Sequence, residues 1–118
     1  MHTAEHTMSK EMQQCIDECL GCYSICVQTV QHCLEIGGKQ AEASHIRLLN
    51  DCAEICRTNA GFMLRGSPLH TRTCAVCAEI CRACEQSCRS MGDDQMMHQC
   101  ADACRSCAES CARMSKAA

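Results

Sequence analysis

The 118-residue sequence has no tryptophan, one tyrosine, one phenylalanine and a single proline. So few aromatics exclude a stacking platform for bases. With 11 basic against 14 acidic residues, there is no basic patch of the size that nucleic acid requires. Long apolar runs are also missing, falling far short of the roughly 18 residues that span a membrane. The start, MHTAEHTMSKEMQQC, has no basic region followed by an apolar run, no small-residue cleavage site and no twin arginine. No secretory signal is therefore expected, and the expected compartment is the cytoplasm, where thiols stay reduced. Branched apolar residues are scarce as well: Val, Ile, Leu and Phe together number 16. Composition of that kind leans toward disorder, but a net charge of only −3 does not.

Something else must fill the interior. The chain has 16 Cys, 14 Ala and 8 Met, and a neutral thiol packs as a small hydrophobe. The length suits one domain, expected over 1–118 with residues 1–8 as a flexible tail that holds His2 and His6.

Glycine and proline divide the sequence. Gly37-Gly38, Gly66-Ser67-Pro68 and Gly92-Asp93-Asp94 close successive segments, leaving pieces from about Ser9 to Ile36, Gln40 to Arg65, Leu69 to Met91 and Asp93 to Lys116. All are free of internal proline and poor in β-branched residues, which favours helix. Ser67-Pro68 and Asp93 or Asp94 are helix-start signals. The expected fold is all-α, an antiparallel up-down-up-down four-helix bundle with a cysteine-lined core. CIDECLGCYSIC, CAEIC, CAVCAEICRACEQSC and CADACRSCAESC share a unit of Cys, small residues, a carboxylate and Cys, which reads as a repeated helical hairpin.

The cysteines follow the helical period. At about 100° per residue, Cys15, Cys19, Cys22, Cys26 and Cys33 fall within a sector of about 60°. Cys74, Cys77, Cys81, Cys84 and Cys88 span about 80°, and Cys100, Cys104, Cys107 and Cys111 about 60°. Cys52 and Cys56 add one turn of the second helix. Each stripe occupies the seam that an ordinary bundle fills with Leu, while Glu79, Arg82, Glu85 and Arg89 lie off it. The four stripes therefore face one another.

Packing alone is a poor reason for this pattern, because Leu or Ile buries more area per residue. A disulfide framework is the second alternative, since the count is even. Consecutive cysteines on one helix point the same way and cannot pair without backbone movement, although pairs across helices remain open. Cys19-Cys22, Cys74-Cys77, Cys81-Cys84 and Cys104-Cys107 have the spacing of zinc or iron–sulfur pairs. Structural zinc, however, usually sits on knuckles or loops around one ion, and the ferredoxin run ending in Cys-Pro is absent. Charge separates the metals further. Four thiolates around Zn(II) leave a net −2, costly when several such sites stack in a dry core. About one Cu(I) per thiolate, with bridging sulfurs, leaves the core near neutral, and soft thiolate and thioether ligands select Cu(I). Many ions in one bundle mean storage or buffering, not a catalytic centre. The rivals are a zinc-binding module, a disulfide or thiol redox scaffold, and a copper chaperone of low capacity.

The residues HIRLLNDCAEIC, TCAVCAEICRACEQSC and CADACRSCAESCARM resemble the cytosolic bacterial copper storage proteins, over nearly the whole chain from about Cys15 to Met114. The resemblance implies a cytosolic four-helix bundle that holds many Cu(I) ions mostly by cysteine pairs, assembles as a homotetramer and has no enzymatic turnover. His45 and Met97 stand at positions often occupied by Cys in that family, and both side chains are still metal ligands. Spacing agrees independently: His45 lies seven residues before Cys52 and Met97 three before Cys100. Both belong to the end that holds Cys33, Cys88 and Met91, which is the expected mouth for copper. Met91, Met96 and Met97 as a simple plug is the competing reading. Met8, Met12, Met63, His70 and Met114 gather at the opposite end. His32 and His98 fall off the seam and are expected to be solvated.

Overall fold

The computed structural model describes residues 8–116. The tail expected over 1–8, with His2 and His6, lies outside them except for Met8. Four helices form: α1 Lys10–Ile36, α2 Ala43–Leu64, α3 His70–Arg89 and α4 Gln95–Met114, with a short 3-10 turn over Gly38–Ala41 before α2. No strand occurs among the described residues.

The ends follow local chemistry. Ser9 Oγ accepts the Met12 N–H at 3.0 Å and starts α1. The Asp94 carboxylate accepts the Met97 N–H at 3.1 Å and starts α4; such caps satisfy donors that the first turn leaves free. Ser67 Oγ accepts the Leu69 N–H at 3.1 Å ahead of α3. Gly37 and Gly38 have φ of 78° and 62°, the left-handed region that glycine enters without a Cβ penalty, so α1 stops there. The glycine pair also explains why α2 starts later than Gln40. Residues 38–41 wind into the 3-10 turn and Glu42 is extended, so the regular helix begins at Ala43.

α1 packs on α2 and α4, and α3 packs on the same two, with no direct α1–α3 or α2–α4 backbone approach. This is a square bundle, and its neighbours are antiparallel. Cys15 near the start of α1 lies 3.7 Å from Cys111 near the end of α4, and Cys26 lies 3.8 Å from Cys100. Cys56 late in α2 meets Cys77 early in α3 at 3.7 Å. The four apolar seams converge on one core. Every one of the sixteen cysteines is buried there, with Ile16, Leu49, Met63 and Met97 among the few large side chains.

At the end carrying the α1–α2 and α3–α4 connections, polar contacts tie the two loops together. Asp94 Oδ2 accepts from Gln40 Nε2 at 3.0 Å and lies 2.9 Å from His32 Nε2. Lys39 Nζ donates to the Ser90 carbonyl at 3.0 Å. His32 is therefore half-buried and paired, not simply solvated, because α1 runs beside the α3–α4 turn. His98 is exposed, as expected. The His32 ring, then Gln40, holds the Asp94 carboxyl well below the usual carboxylate range.

Asp94 thus joins a helix cap to a loop clamp. Asp94→Ala is expected to lower the unfolding free energy of the metal-free protein by about 1–2 kcal/mol. Asp94→Asn, which keeps the cap acceptor, should lose less. Urea denaturation under anaerobic, reducing conditions measures both, and an Asp94→Ala curve that overlays the parent would refute the cap and clamp assignment.

Candidate metal centre

Each helix presents a ladder with alternating steps of three and four residues. In α2 the ladder is His45, Leu49, Cys52, Cys56, Asn59, Met63, all buried. In α1 it is Cys15, Cys19, Cys22, Cys26, Thr29 and Cys33, again all buried. Small side chains at these positions let the four backbones surround a narrow column of sulfur. Sulfur meets sulfur between α1 and α2, between α1 and α4, and between α2 and α3. Cys22 lies 3.8 Å from both Cys52 and Cys104, Cys52 is 3.6 Å from Cys81, and Cys107 donates to Cys19 at 3.6 Å. Contacts also cross the square: Cys56 reaches Cys107 at 3.8 Å and Cys52 reaches Cys104 at 3.9 Å.

The sulfurs form overlapping sets of four. Within each of Cys22/Cys26/Cys52/Cys104, Cys22/Cys52/Cys56/Cys81, Cys56/Cys77/Cys81/Cys107, Cys19/Cys77/Cys107/Cys111 and Cys26/Cys84/Cys100/Cys104, all sulfurs lie within 4.8 Å of one another. Cys22, Cys52, Cys56, Cys81, Cys77, Cys107, Cys26 and Cys104 each belong to two of these sets. Discrete tetrahedral ions cannot occupy all of them at once without sharing ligands. A run of ions with bridging sulfurs can. The cysteines are free thiols at contact distance, far outside the length of about 2.05 Å of a disulfide.

Burial and neighbouring thiols together set the resting charge. Cys33 is pushed up from 9.0 to about 11, first by burial and then by the Asp94 carboxylate. Cys56, Cys104 and Cys111 are also raised; the leading causes are their thiol neighbours, Cys107, Cys100 and Cys107 in turn, with burial adding to each. Cys19, Cys22, Cys52, Cys74, Cys77 and Cys100 move the other way, each first through a hydrogen bond with a neighbouring thiol. The Cys19 sulfur accepts from Cys107 and also takes an N–H from Asn59 Nδ2 at 3.5 Å. Thiols that hold their protons thus sit beside sulfurs that accept from them.

His45 is buried beside this column at the loop-clamped end. Its Nδ1 lies 2.7 Å from Ser87 Oγ, while its Nε2 is buried without a partner. Burial lowers its pKa, so the ring is neutral and one nitrogen keeps a lone pair. Met97 is fully buried, three residues before Cys100. Met91 is partly buried against the core. The sequence-derived grouping of His45, Met97, Cys33 and Cys88 at one end is thus reproduced in space.

Asn59 was not anticipated. It is fully buried, donates to Cys19 and Cys111 at 3.5 Å, and accepts from Thr73 Oγ1 at 2.6 Å and from Cys74 at 3.3 Å. Its signal was the ladder itself: Asn59 stands three residues after Cys56 and four before Met63, the seam position where a cysteine would fall.

Comparison with known proteins agrees with this geometry. The family described as copper storage protein matches residues 8–116. The Nmul_A1745 protein of Nitrosospira multiformis is 47% identical over 92% of this chain and 97% of its own, with a TM-score of 0.86. Cu(I)-bound copper storage protein BsCsp3 of Bacillus subtilis is 35% identical over 90% of this chain and 99% of its own, with a TM-score of 0.83. A cytosolic copper storage protein from Streptomyces lividans, with five coppers, is 29% identical over 92% and 95% of the two chains, with a TM-score of 0.79. A family match over nearly the full length, on a bundle whose core is a column of thiols, means that the chain belongs to the copper storage protein family.

Proposed function

We propose that this protein stores or sequesters Cu(I), taking many ions into the bundle through thiolates that replace the buried thiols. The proposed ligands are Cys15, Cys19, Cys22, Cys26, Cys33, Cys52, Cys56, Cys74, Cys77, Cys81, Cys84, Cys88, Cys100, Cys104, Cys107 and Cys111, joined at the loop-clamped end by His45 and Met97. The observation that carries this reading is the overlap of the sulfur sets, since a core in which most inner cysteines serve two sets is built for bridged ions. The neutral His45 ring and the Met97 thioether supply weaker donors where ions first arrive.

Loading exchanges charge for charge. Each Cu(I) that binds a thiol displaces a proton, so the filled core stays near neutral and uptake is linked to pH. The S. lividans relative is cytosolic and BsCsp3 binds Cu(I); by likeness, the reading is of a cytoplasmic protein without catalytic turnover. We read the chain as one domain that assembles as a homotetramer. In support, Leu20, Val27 and Leu34 recur every seven residues on α1 and remain exposed, an apolar stripe suited to a second copy. No helix among the described residues is long and apolar enough to cross a membrane.

Two measurements test this. Anaerobic titration of the reduced protein with Cu(I) against a competing chelator is expected to approach one ion per cysteine, with Zn(II) retained far less. Saturation at one or two ions would instead indicate a chaperone or a zinc module. The second test uses the raised thiols. Unfolded cysteines ionise near 9.0 while Cys33 stays protonated to about 11, so the unfolded state binds fewer protons between these values and stability falls as pH rises. The melting temperature of the metal-free protein should be steady below pH 8 and drop between pH 9 and 11. The Cu(I)-loaded protein, whose thiolates no longer titrate, should hold its melting temperature across that window; a parallel drop would contradict thiolate ligation.

A further inference from the structure

At the end of the bundle opposite His45, all four ladders continue into soft donors and not into branched aliphatics. One more step of three or four residues beyond the last cysteine or Asn59 reaches Met12 in α1, Met63 in α2, His70 in α3 and Met114 in α4. Met63 is fully buried, Met114 is nearly so, and Met12 packs half-buried against the core. The Cys74 thiol points at Met63 Sδ, 3.9 Å away. His70 starts α3 one turn before Cys74 on the same face. Its Nδ1 lies 2.9 Å from the Ser67 carbonyl, an acceptor, so Nδ1 donates and Nε2 carries the lone pair. That Nε2 is buried and has no hydrogen-bond partner.

Methionine fills irregular gaps well, so three methionines alone would make an adequate plug. A plug does not account for the imidazole. A buried acceptor without a partner is destabilising, and a leucine at His70 would close the end without that cost. Nor does a plug need a thioether sulfur facing the outermost thiol of α3.

We propose that this end is a second Cu(I) site, formed by the Cys74 thiolate, the Met63 thioether and the His70 imidazole, with Met114 beside them. The proposal rests on the storage reading and extends it to an end of the bundle with different chemistry. Binding breaks the Cys74 S–H bond, releases its proton to solvent and forms a Cu–S bond. The thioether and imidazole are neutral, so a single thiolate cancels the charge of the ion and the buried end gains none. Neutral donors hold Cu(I) less firmly than a second thiolate would. The ion is thus exchangeable, and through Cys74 it adjoins Asn59 and the Cys15 and Cys111 level of the column. Copper stored near this end has a way out that does not cross the whole core.

The test uses the full chain, reduced and anaerobic, with 13C in the methionine ε-methyl groups and the Met63 and Met114 signals assigned by Met63→Leu and Met114→Leu. These replacements conserve volume and are tolerated in cores. During titration with Cu(I), the Met63 methyl signal is expected to shift. The Met63→Leu/His70→Gln variant should lose a Cu(I) equivalent and release copper to a chelator more slowly than the parent. If the Met63 and Met114 signals stay fixed from the metal-free to the saturated protein while the core takes up many ions, the second site is wrong and storage stands. If the parent saturates at one or two ions, both readings fall together.

Discussion

Charge neutrality in a dry column is the constraint on which the rest of this structure depends. Sixteen buried cysteines are tolerable only while each sulfur carries either a proton or a share of a monovalent cation, because an uncompensated thiolate in such surroundings is strongly disfavoured. The exchange of one proton for one Cu(I) preserves that balance at every degree of filling. A divalent ion breaks it, either leaving two negative charges uncompensated when four thiolates bind it or stranding protons on sulfurs that must also act as ligands. Metal preference in this bundle therefore follows from the electrostatics of the whole core as much as from the softness of sulfur.

The same constraint shapes what surrounds the sulfurs. Alanines flank the ladders, as at Ala53, Ala78, Ala101 and Ala108, all buried, and allow helices to approach closely enough for sulfurs to meet at 3.6–3.9 Å. Charged groups are kept to the outer faces, where Arg89 pairs with Glu85 and Asp102 at 3.0 Å. Asn59 is the fully buried amide in this column, and it satisfies all its hydrogen bonds with thiols and Thr73. Its Nδ2 donors give Cys19 and Cys111 a partner that remains after their neighbours have lost protons.

Much of this was legible in the sequence because the decisive pattern is local. Steps of three and four residues place side chains on one helical face whatever the partner, so the cysteine seams, the bundle and the grouping of His45 with Met97 all follow from spacing. Asn59 was equally legible in position but not in type, because spacing places a side chain on the seam without saying that an amide there serves the thiols. The pairing of His32 with Asp94 and the Lys39–Ser90 contact had no such signal. They join residues far apart in sequence, and they depend on a 3-10 turn set by two positive-φ glycines. The off-seam position of His32 was right, but position on a helix says nothing about which loop lies against it.

The ladder has a consequence for how such a protein changes size. Because donors recur twice per heptad in each of four helices, the sulfur column has a fixed linear density, about eight ligand positions for each 10.5 Å of bundle. Capacity is then a matter of length and of substitution at rungs, where Cys, Met, His or Asn already alternate on one backbone. A container of this kind can be lengthened or retuned rung by rung, with no new fold required for a different load.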